Sequence, residues 1–123
     1  MRRWMQAVGF FVVGVSIGAG AVAAGDARQR AIELQKKAID CHEKKDWACF
    51  LETSRQAEAV LSGNTRLVYN LACAEALTGD YAAAAKHLES VIDRRLDLGI
   101  ESDDDLTALR ASPAFEPVRA KLS

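Results

Sequence analysis

The sequence predicts an all-α protein built from two helical hairpins and a short C-terminal helical cap. Proline occurs only at Pro113 and Pro117, so no proline interrupts a helix over the preceding residues. No run of β-branched residues alternates with polar ones, as a half-buried strand would require. Apolar residues instead recur every three or four positions, which is the pattern of one face of a helix.

The first hairpin is predicted from residue 31 to residue 64. Its first helix carries an apolar stripe made of Ala31, Leu34, Ala38 and Cys41. Asp46 is a suitable N-cap for the second helix. The apolar face of that helix consists of Trp47, Phe50, Leu51, Ser54, Ala57 and Leu61. Gly63 is expected to end the helix as a C′ glycine.

The second hairpin is predicted from residue 65 to residue 98. Thr65 is the expected N-cap of its first helix, Gly79 ends that helix, and Asp80 caps the next one. The inward-facing positions are Val68, Leu71, Ala72, Glu75, Tyr81, Ala84, Leu88 and Val91. The two hairpin turns, each an Asp followed by an aromatic residue, lie 34 residues apart, so the chain contains an internal repeat.

Residues 99–123 are predicted to form a cap over the open end of the second hairpin. A repeat array needs about three units and an end cap to bury a continuous core. The residues expected to cover that end are Leu106, Leu109, Phe115, Val118 and Leu122. Ser102 and the three aspartates that follow it are interpreted as a helix cap, because a calcium loop would need further oxygen ligands and a glycine at fixed spacing.

The 34-residue period and the second turn resemble the tetratricopeptide repeat. The residues that match this family are Asn70, Leu71, Ala72, Gly79, Asp80, Tyr81 and Ala84. The tail is similar to bacterial tetratricopeptide end-of-group units, through Tyr69, Leu71, Ala72, Cys73, Leu106, Leu109, Arg110, Pro113 and Phe115. In the first unit Lys45 replaces the turn glycine of the family. The resemblance implies a right-handed α-solenoid that acts as a protein-binding module or scaffold.

Residues 1–24 are typical of a cleaved secretory signal peptide. Arg2 and Arg3 precede an apolar run over residues 7–17, and small residues then offer cleavage at 23/24 or 24/25. An uncleaved membrane anchor is the alternative, since the uncharged stretch is just long enough to cross a bilayer. We therefore expect a periplasmic or secreted bacterial protein.

The domain expected after cleavage, residues 25–123, is mildly acidic. The formal net charge of the full sequence is −1, and the loss of Arg2 and Arg3 with the leader changes it to −3. This balance gives no reason to expect binding to nucleic acid or to anionic membranes. We also expect no stable membrane insertion once the leader has been removed.

The residues offer little basis for catalysis or cofactor binding. His42 and His87 are the only histidines of the sequence, and His87 is expected to be solvated. His42 could join Cys41, Cys49 and Cys73 in a zinc site, or act with a neighbouring thiol, but the close cysteine pair of zinc motifs is absent. No glycine-rich phosphate loop or Ser-His-Asp set is present. We expect no cofactor, no metal and no enzymatic activity.

Cys41 and Cys49 flank the turn of the first hairpin. On two antiparallel helices their Cβ atoms could approach disulfide distance. The alternative is two small core residues kept reduced, although an oxidising compartment favours the bridge. A resemblance to cysteine-rich Sel1-like repeat proteins implies the same pairing. Cys73 is expected to be a buried small hydrophobe, with a reactive thiol as the alternative.

The tetratricopeptide resemblance also implies a binding groove along the first helix of each hairpin. Carried over by position, the groove residues are Ile32, Gln35, Lys36, Ile39, Arg66, Tyr69, Asn70 and Cys73. Asn70 coincides with an asparagine of the family's carboxylate-clamp members, but Gln35 and Ile39 replace the lysine and asparagine of that clamp. Ile32, Ile39 and Tyr69 favour a partly apolar ligand. Alternatively, these residues pack on another copy of the chain, in a structural homo-oligomer, or on the N-terminal arm.

Overall fold

A computed structural model describes residues 19–96 and 98–123, with side chains described from residue 25 onward apart from residue 97. Most of the predicted leader, residues 1–18, lies outside this part of the chain. The secondary structure of the described residues is entirely helical, which confirms the all-α prediction. None of the helices in these two ranges is both long enough and apolar enough to cross a membrane.

The first four helices follow one another as two packed pairs. Helix α1 spans Ala19–Glu43 and packs on α2, Trp47–Val60. Helix α3 spans Thr65–Leu77 and packs on α4, Tyr81–Asp93. Contacts between α2 and α3 join the two pairs. Helix α1 begins well before the predicted start of the first repeat, so both predicted cleavage positions fall within its first two turns.

The turns of the two pairs have the same backbone design. Asp46 and Asp80 cap α2 and α4, and each carboxylate accepts a hydrogen bond from the amide N–H three residues later, at 3.2 and 3.3 Å. The residue before each cap is left-handed, with φ of 57° at Lys45 and 89° at Gly79. The first turn therefore forces a lysine into the conformation that the second turn gives to a glycine.

Two predicted boundaries around α3 need correction. Asn64, not Thr65, caps α3, because Asn64 is extended and its side-chain oxygen accepts from a backbone N–H of the first turn at 3.2 Å. Helix α2 ends at Val60, before the predicted stop at Gly63. Gly63, at φ 80°, belongs to the connection between the helices.

The C-terminal residues form the cap from short elements. Two 3-10 turns, Asp104–Leu106 and Pro113–Phe115, alternate with α5, Thr107–Arg110, and α6, Glu116–Leu122. These elements pack on α3 and α4. The side chains that are almost completely buried are Ile100, Leu106, Leu109, Phe115 and Val118. Four of these were predicted to be cap residues, whereas Ile100 was not, and the predicted Leu122 is only partly buried.

Helix α3 is the centre of the core. Between Leu67 and Ala76, every residue except Asn70 is buried. A helix that is covered nearly all round must have neighbours on several sides, and here α2, α4 and the cap supply them. A smaller cluster of Ala31, Ala57 and Leu67 connects α1, α2 and the start of α3.

Lys45→Gly is expected to raise the free energy of unfolding by about 0.5–1 kcal/mol, because glycine adopts a left-handed conformation without the strain of a Cβ atom. Urea denaturation followed by circular dichroism measures the change. Gly79→Lys is the matched control: a Cβ atom there meets nothing within 4 Å, so a loss of about 1 kcal/mol would report backbone strain alone. Unchanged or lower stability of Lys45→Gly would contradict this assignment of strain.

Candidate functional site

An open groove lies between the middle of α1 and the start of α3. Its volume is about 550 Å³. The residues that line it are Arg28, Ala31, Ile32, Gln35, Lys36, Leu61, Asn64, Arg66 and Leu67. Four of the predicted groove residues, Ile32, Gln35, Lys36 and Arg66, are therefore brought together around one concave surface.

The groove combines an apolar floor with a polar rim. Arg28, Ile32 and Lys36 are spaced four residues apart and so share one face of α1. Ala31 and Leu67 are buried beneath this face, whereas Ile32 remains 43% exposed. The result is an accessible apolar surface between two cationic side chains.

The charge of the groove is uniformly positive. Arg28, Lys36 and Arg66 are exposed, and no carboxylate lines the surface. Within the described ranges, none of these three cations forms a hydrogen bond or ion pair through its side chain. The first turn of α3 carries no acidic residue, so the partial positive charge of the helix start is not offset there.

A second depression, on another face of α1, has mixed charge. Its volume is about 730 Å³, and it lies between α1 and α2. The lining residues are Ala27, Arg30, Glu33, Leu34, Lys37, Gln56, Ala59 and Val60. Because Glu33 offsets part of its positive charge, this surface provides a comparison for the groove.

The other four predicted groove residues do not line the groove. Tyr69 and Cys73 are only 7% and 3% exposed, and both contact Asp103 of the C-terminal segment. The prediction that Tyr69 lies on an open binding face is therefore wrong, because the chain itself covers that part of α3, whereas Cys73 is buried as expected from its place in the core pattern. Ile39 is 51% exposed and Asn70 is half-buried, away from the groove lining.

Asp103 ties the cap to α3. Its Oδ2 accepts a hydrogen bond from the Tyr69 hydroxyl at 2.5 Å, and the Cys73 Sγ lies 3.9 Å from the same oxygen. Its Oδ1 accepts from the backbone N–H of Asp105 at 2.9 Å, so Asp103, not the predicted Ser102, caps the first 3-10 turn.

Burial, reinforced by the charge of Asp103, raises the pKa of both the Tyr69 hydroxyl and the Cys73 thiol. Both groups therefore stay protonated as donors, and Cys73 is not an activated thiolate.

Asp105 ties the cap to the end of α1. The His42 Nε2 lies 2.9 Å from both carboxylate oxygens of Asp105. The His42 ring also packs edge-on against Trp47 and Phe50, with ring centroids 5.3 and 5.1 Å apart. His42 thus connects the first helical pair to the cap, which are distant in sequence.

Cys41 and Cys49 lie at disulfide distance, as the sequence predicted. Their Cα atoms are 5.7 Å apart, which is within the range that a disulfide bridges. The pair joins the last turn of α1 to the first turn of α2, directly beside His42. Cys73 is the remaining cysteine, and it is buried.

Cys73, Asp103 and Asp105 place three potential metal-ligand atoms within 4.8 Å of one another. Tyr69 already donates to Asp103, and His42 already pairs with Asp105. The polar groups of this cluster are thus satisfied by the protein itself. Its evident role is to hold the cap in place.

His87, which the sequence predicted to be solvated, instead pairs with Glu75. The His87 Nδ1 lies 2.5 Å from a carboxylate oxygen of Glu75, whose side chain is only 5% exposed. Burial raises the pKa of Glu75, and the bond to His87 opposes that rise. Since the folded state holds this proton more tightly than the unfolded chain, ionisation of Glu75 lowers stability as the pH rises above the carboxyl's ordinary range.

Comparisons of the chain with protein-family models, with curated proteins and with solved structures give no match. The residues and the geometry of the groove therefore provide the basis for a functional proposal.

Tyr69→Phe is expected to lower the free energy of unfolding by about 1–3 kcal/mol, because the partly buried Asp103 carboxylate loses a donor. Urea denaturation measures the loss. Tyr81→Phe is the control: the Tyr81 hydroxyl has no hydrogen-bond partner among the described residues, so we expect a change within about 0.5 kcal/mol. If the losses of unfolding free energy from Tyr69→Phe and Asp103→Asn simply add in a double-mutant cycle, the result would contradict a direct interaction between the two side chains.

Peptide mapping of the oxidised protein without reductant is expected to recover Cys41 linked to Cys49, with Cys73 free. Reduction is expected to lower the free energy of unfolding by about 2–3 kcal/mol, as the closed loop is short. Denaturation with and without reductant measures this loss, and the Cys73→Ala variant should show the same difference. A linkage through Cys73, or three free thiols in oxidised protein, would contradict the pairing.

Proposed function

We propose that the chain is an exported tetratricopeptide-type protein that binds a segment of another polypeptide in the groove between α1 and α3. It would act as a non-enzymatic interaction module or scaffold in the bacterial cell envelope. The observation that carries this proposal is the convergence of Ile32, Gln35, Lys36 and Arg66 around one open groove. These residues were expected to share a binding face because of the resemblance alone.

The form of the groove suits a polypeptide ligand. Its volume of about 550 Å³ falls within the usual range of ligand-binding clefts. An apolar centre with a polar rim is also the usual composition of a protein interface. The Gln35 side chain, which has no hydrogen-bond partner among the described residues, can donate to and accept from a peptide backbone.

The repeat architecture is supported by the local geometry of the turns. Asp46 and Asp80 cap their helices in the same way, and each follows a left-handed residue. Each helix packs on the next one along the chain, and the cap covers the end. Such nearest-neighbour packing is compatible with a solenoid of two hairpins and a cap, and the tetratricopeptide resemblance implies that the solenoid is right-handed.

Export is supported by two independent features. The order of basic, apolar and small residues in the leader is that of a signal peptide. Cys41 and Cys49 at disulfide distance are suited to an oxidising compartment. A periplasmic or secreted location accounts for both.

Binding is favoured over catalysis by the positions of the histidines. His42 pairs with Asp105, and His87 pairs with Glu75. Each pair links two elements of the fold, and neither histidine lines the groove. We therefore assign both histidines to folding.

A structural homo-oligomer is the second candidate, favoured by exposed isoleucines on α1. Ile32 and Ile39 are 43% and 51% exposed. They are the exposed large hydrophobic side chains of the described residues, and a second copy could cover them. Light scattering coupled to size-exclusion chromatography distinguishes a monomer from such an assembly.

A photo-reactive amino acid in place of Gln35 is expected to cross-link a polypeptide in living cells, because Gln35 lines the groove. The control position is Glu33, which lines the mixed-charge depression on another face of α1. Mass spectrometry of the adducts identifies the partner, and an adduct of two copies of the chain would establish the homo-oligomer. Adducts from both positions, or from neither, would contradict the proposed groove.

A further inference from the structure

We infer that the groove selects an extended polypeptide segment in which an apolar side chain lies between two side-chain carboxylates. This inference rests on the proposed function, and it adds the chemical class of the ligand. It follows from the charge, the spacing and the apolar floor of the groove.

The charge of the groove is opposite to that of the domain. Residues 25–123 carry a net charge of −3, yet the groove presents Arg28, Lys36 and Arg66 without a carboxylate. None of the three is paired within the described ranges. A carboxylate ligand would therefore gain charge-assisted hydrogen bonds without first breaking an internal ion pair.

The distance between Arg28 and Lys36 determines the spacing expected between the two carboxylates of the ligand. Arg28 and Lys36 are separated by eight residues, which is about 12 Å along a helix. An extended peptide advances about 3.3 Å per residue, so carboxylates four positions apart span about 13 Å. Arg66, on α3, lies across the groove from this row and adds positive charge from the other side.

The apolar surface around Ile32 favours an apolar ligand side chain between the two carboxylates. Ile32 lies midway between Arg28 and Lys36 on the same face of α1, and its side chain is partly exposed. In an extended segment, alternate side chains share a face. A ligand with the order acid, any residue, apolar residue, any residue, acid would therefore place its apolar side chain on Ile32 and the floor beneath it.

A polypeptide fits these features better than an anionic lipid surface does. A flat layer of headgroups would meet the exposed cations but would leave the concave apolar floor unfilled. A C-terminal carboxylate is also not required, because two side-chain carboxylates already match the spacing of Arg28 and Lys36. Peptides with amidated C-termini carry negative charge only on their side chains, and anionic vesicles carry it only on their headgroups. Binding to one probe and not to the other therefore identifies the source of negative charge.

The test uses fluorescent peptides with acetylated and amidated ends and the sequence Gly-Glu-Ser-Leu-Ser-Glu-Gly. Fluorescence anisotropy measures the affinity of this Glu peptide and of three variants. Both glutamates are replaced by glutamine in the Gln peptide and by lysine in the Lys peptide, and leucine is replaced by serine in the Ser peptide. We expect the Glu peptide to bind about tenfold more tightly than the Gln peptide, and its affinity to fall with added salt. The Lys peptide and the Ser peptide should also bind more weakly than the Glu peptide.

Charge-reversing variants locate the binding. Lys36→Glu and Arg66→Glu are each expected to weaken binding of the Glu peptide by about tenfold. The matched control is Lys37→Glu, which makes the same charge change in the mixed-charge depression and should alter affinity less than about twofold. Circular dichroism verifies that each variant is folded.

Several results would overturn the inference. These are equal binding of the Glu and Gln peptides, equal effects of Lys36→Glu and Lys37→Glu, or binding to vesicles of anionic phospholipid without binding to any peptide. If Gln35 still cross-links a partner in cells, such a result removes the ligand class and leaves the proposed function intact. If cross-linking and peptide binding both fail, the proposed function fails as well.

Discussion

The hydrogen bond from the Tyr69 hydroxyl to Asp103 lies where the C-terminal segment begins to cover α3. It holds the C-terminal segment against the middle of the helix, and Cys73, about one turn further along, is also buried. The start of α3, with Arg66, remains uncovered and faces α1 across the groove. Without this bond, the carboxylate of Asp103 would lose the donor that compensates for its partial burial.

The same segment also connects the first helical pair to the cap. Asp105 pairs with His42 at the end of α1, and Cys41, which lies at disulfide distance from Cys49, precedes that histidine. Near this contact, Leu106 and Ile100 are completely buried. A domain of about a hundred residues has limited apolar surface to bury, so these polar contacts supplement its core. The cationic groove is an open concave surface between α1 and the start of α3, which the cap does not cover.

Only some local features of the fold were predictable from neighbouring residues, since Asn64 and Asp103 take the capping positions that were assigned to Thr65 and Ser102. Asp46 and Asp80 each cap the helix that follows directly, and the leucines of the cap follow helical spacing. The groove was predictable only in part, since helical periodicity assigns a residue to a face but does not reveal what covers that face. Tyr69 was misplaced because its partner, Asp103, is 34 residues away in sequence. His87 was misplaced for the same reason, as its partner Glu75 lies on the preceding helix.

Amide chemical-shift mapping by NMR, with the glutamate peptide titrated into the labelled protein, tests the division of α3 into an open start and a part from Tyr69 onward that the cap covers. We expect the shift changes to cluster at residues 28–36 of α1 and at residues 64–67, around the start of α3. Residues 69–73 and 103–105 should change little, because the cap already occupies that surface. Shift changes concentrated at Tyr69, Cys73 and Asp103 would show that the ligand displaces the cap, and would contradict this account of the binding surface.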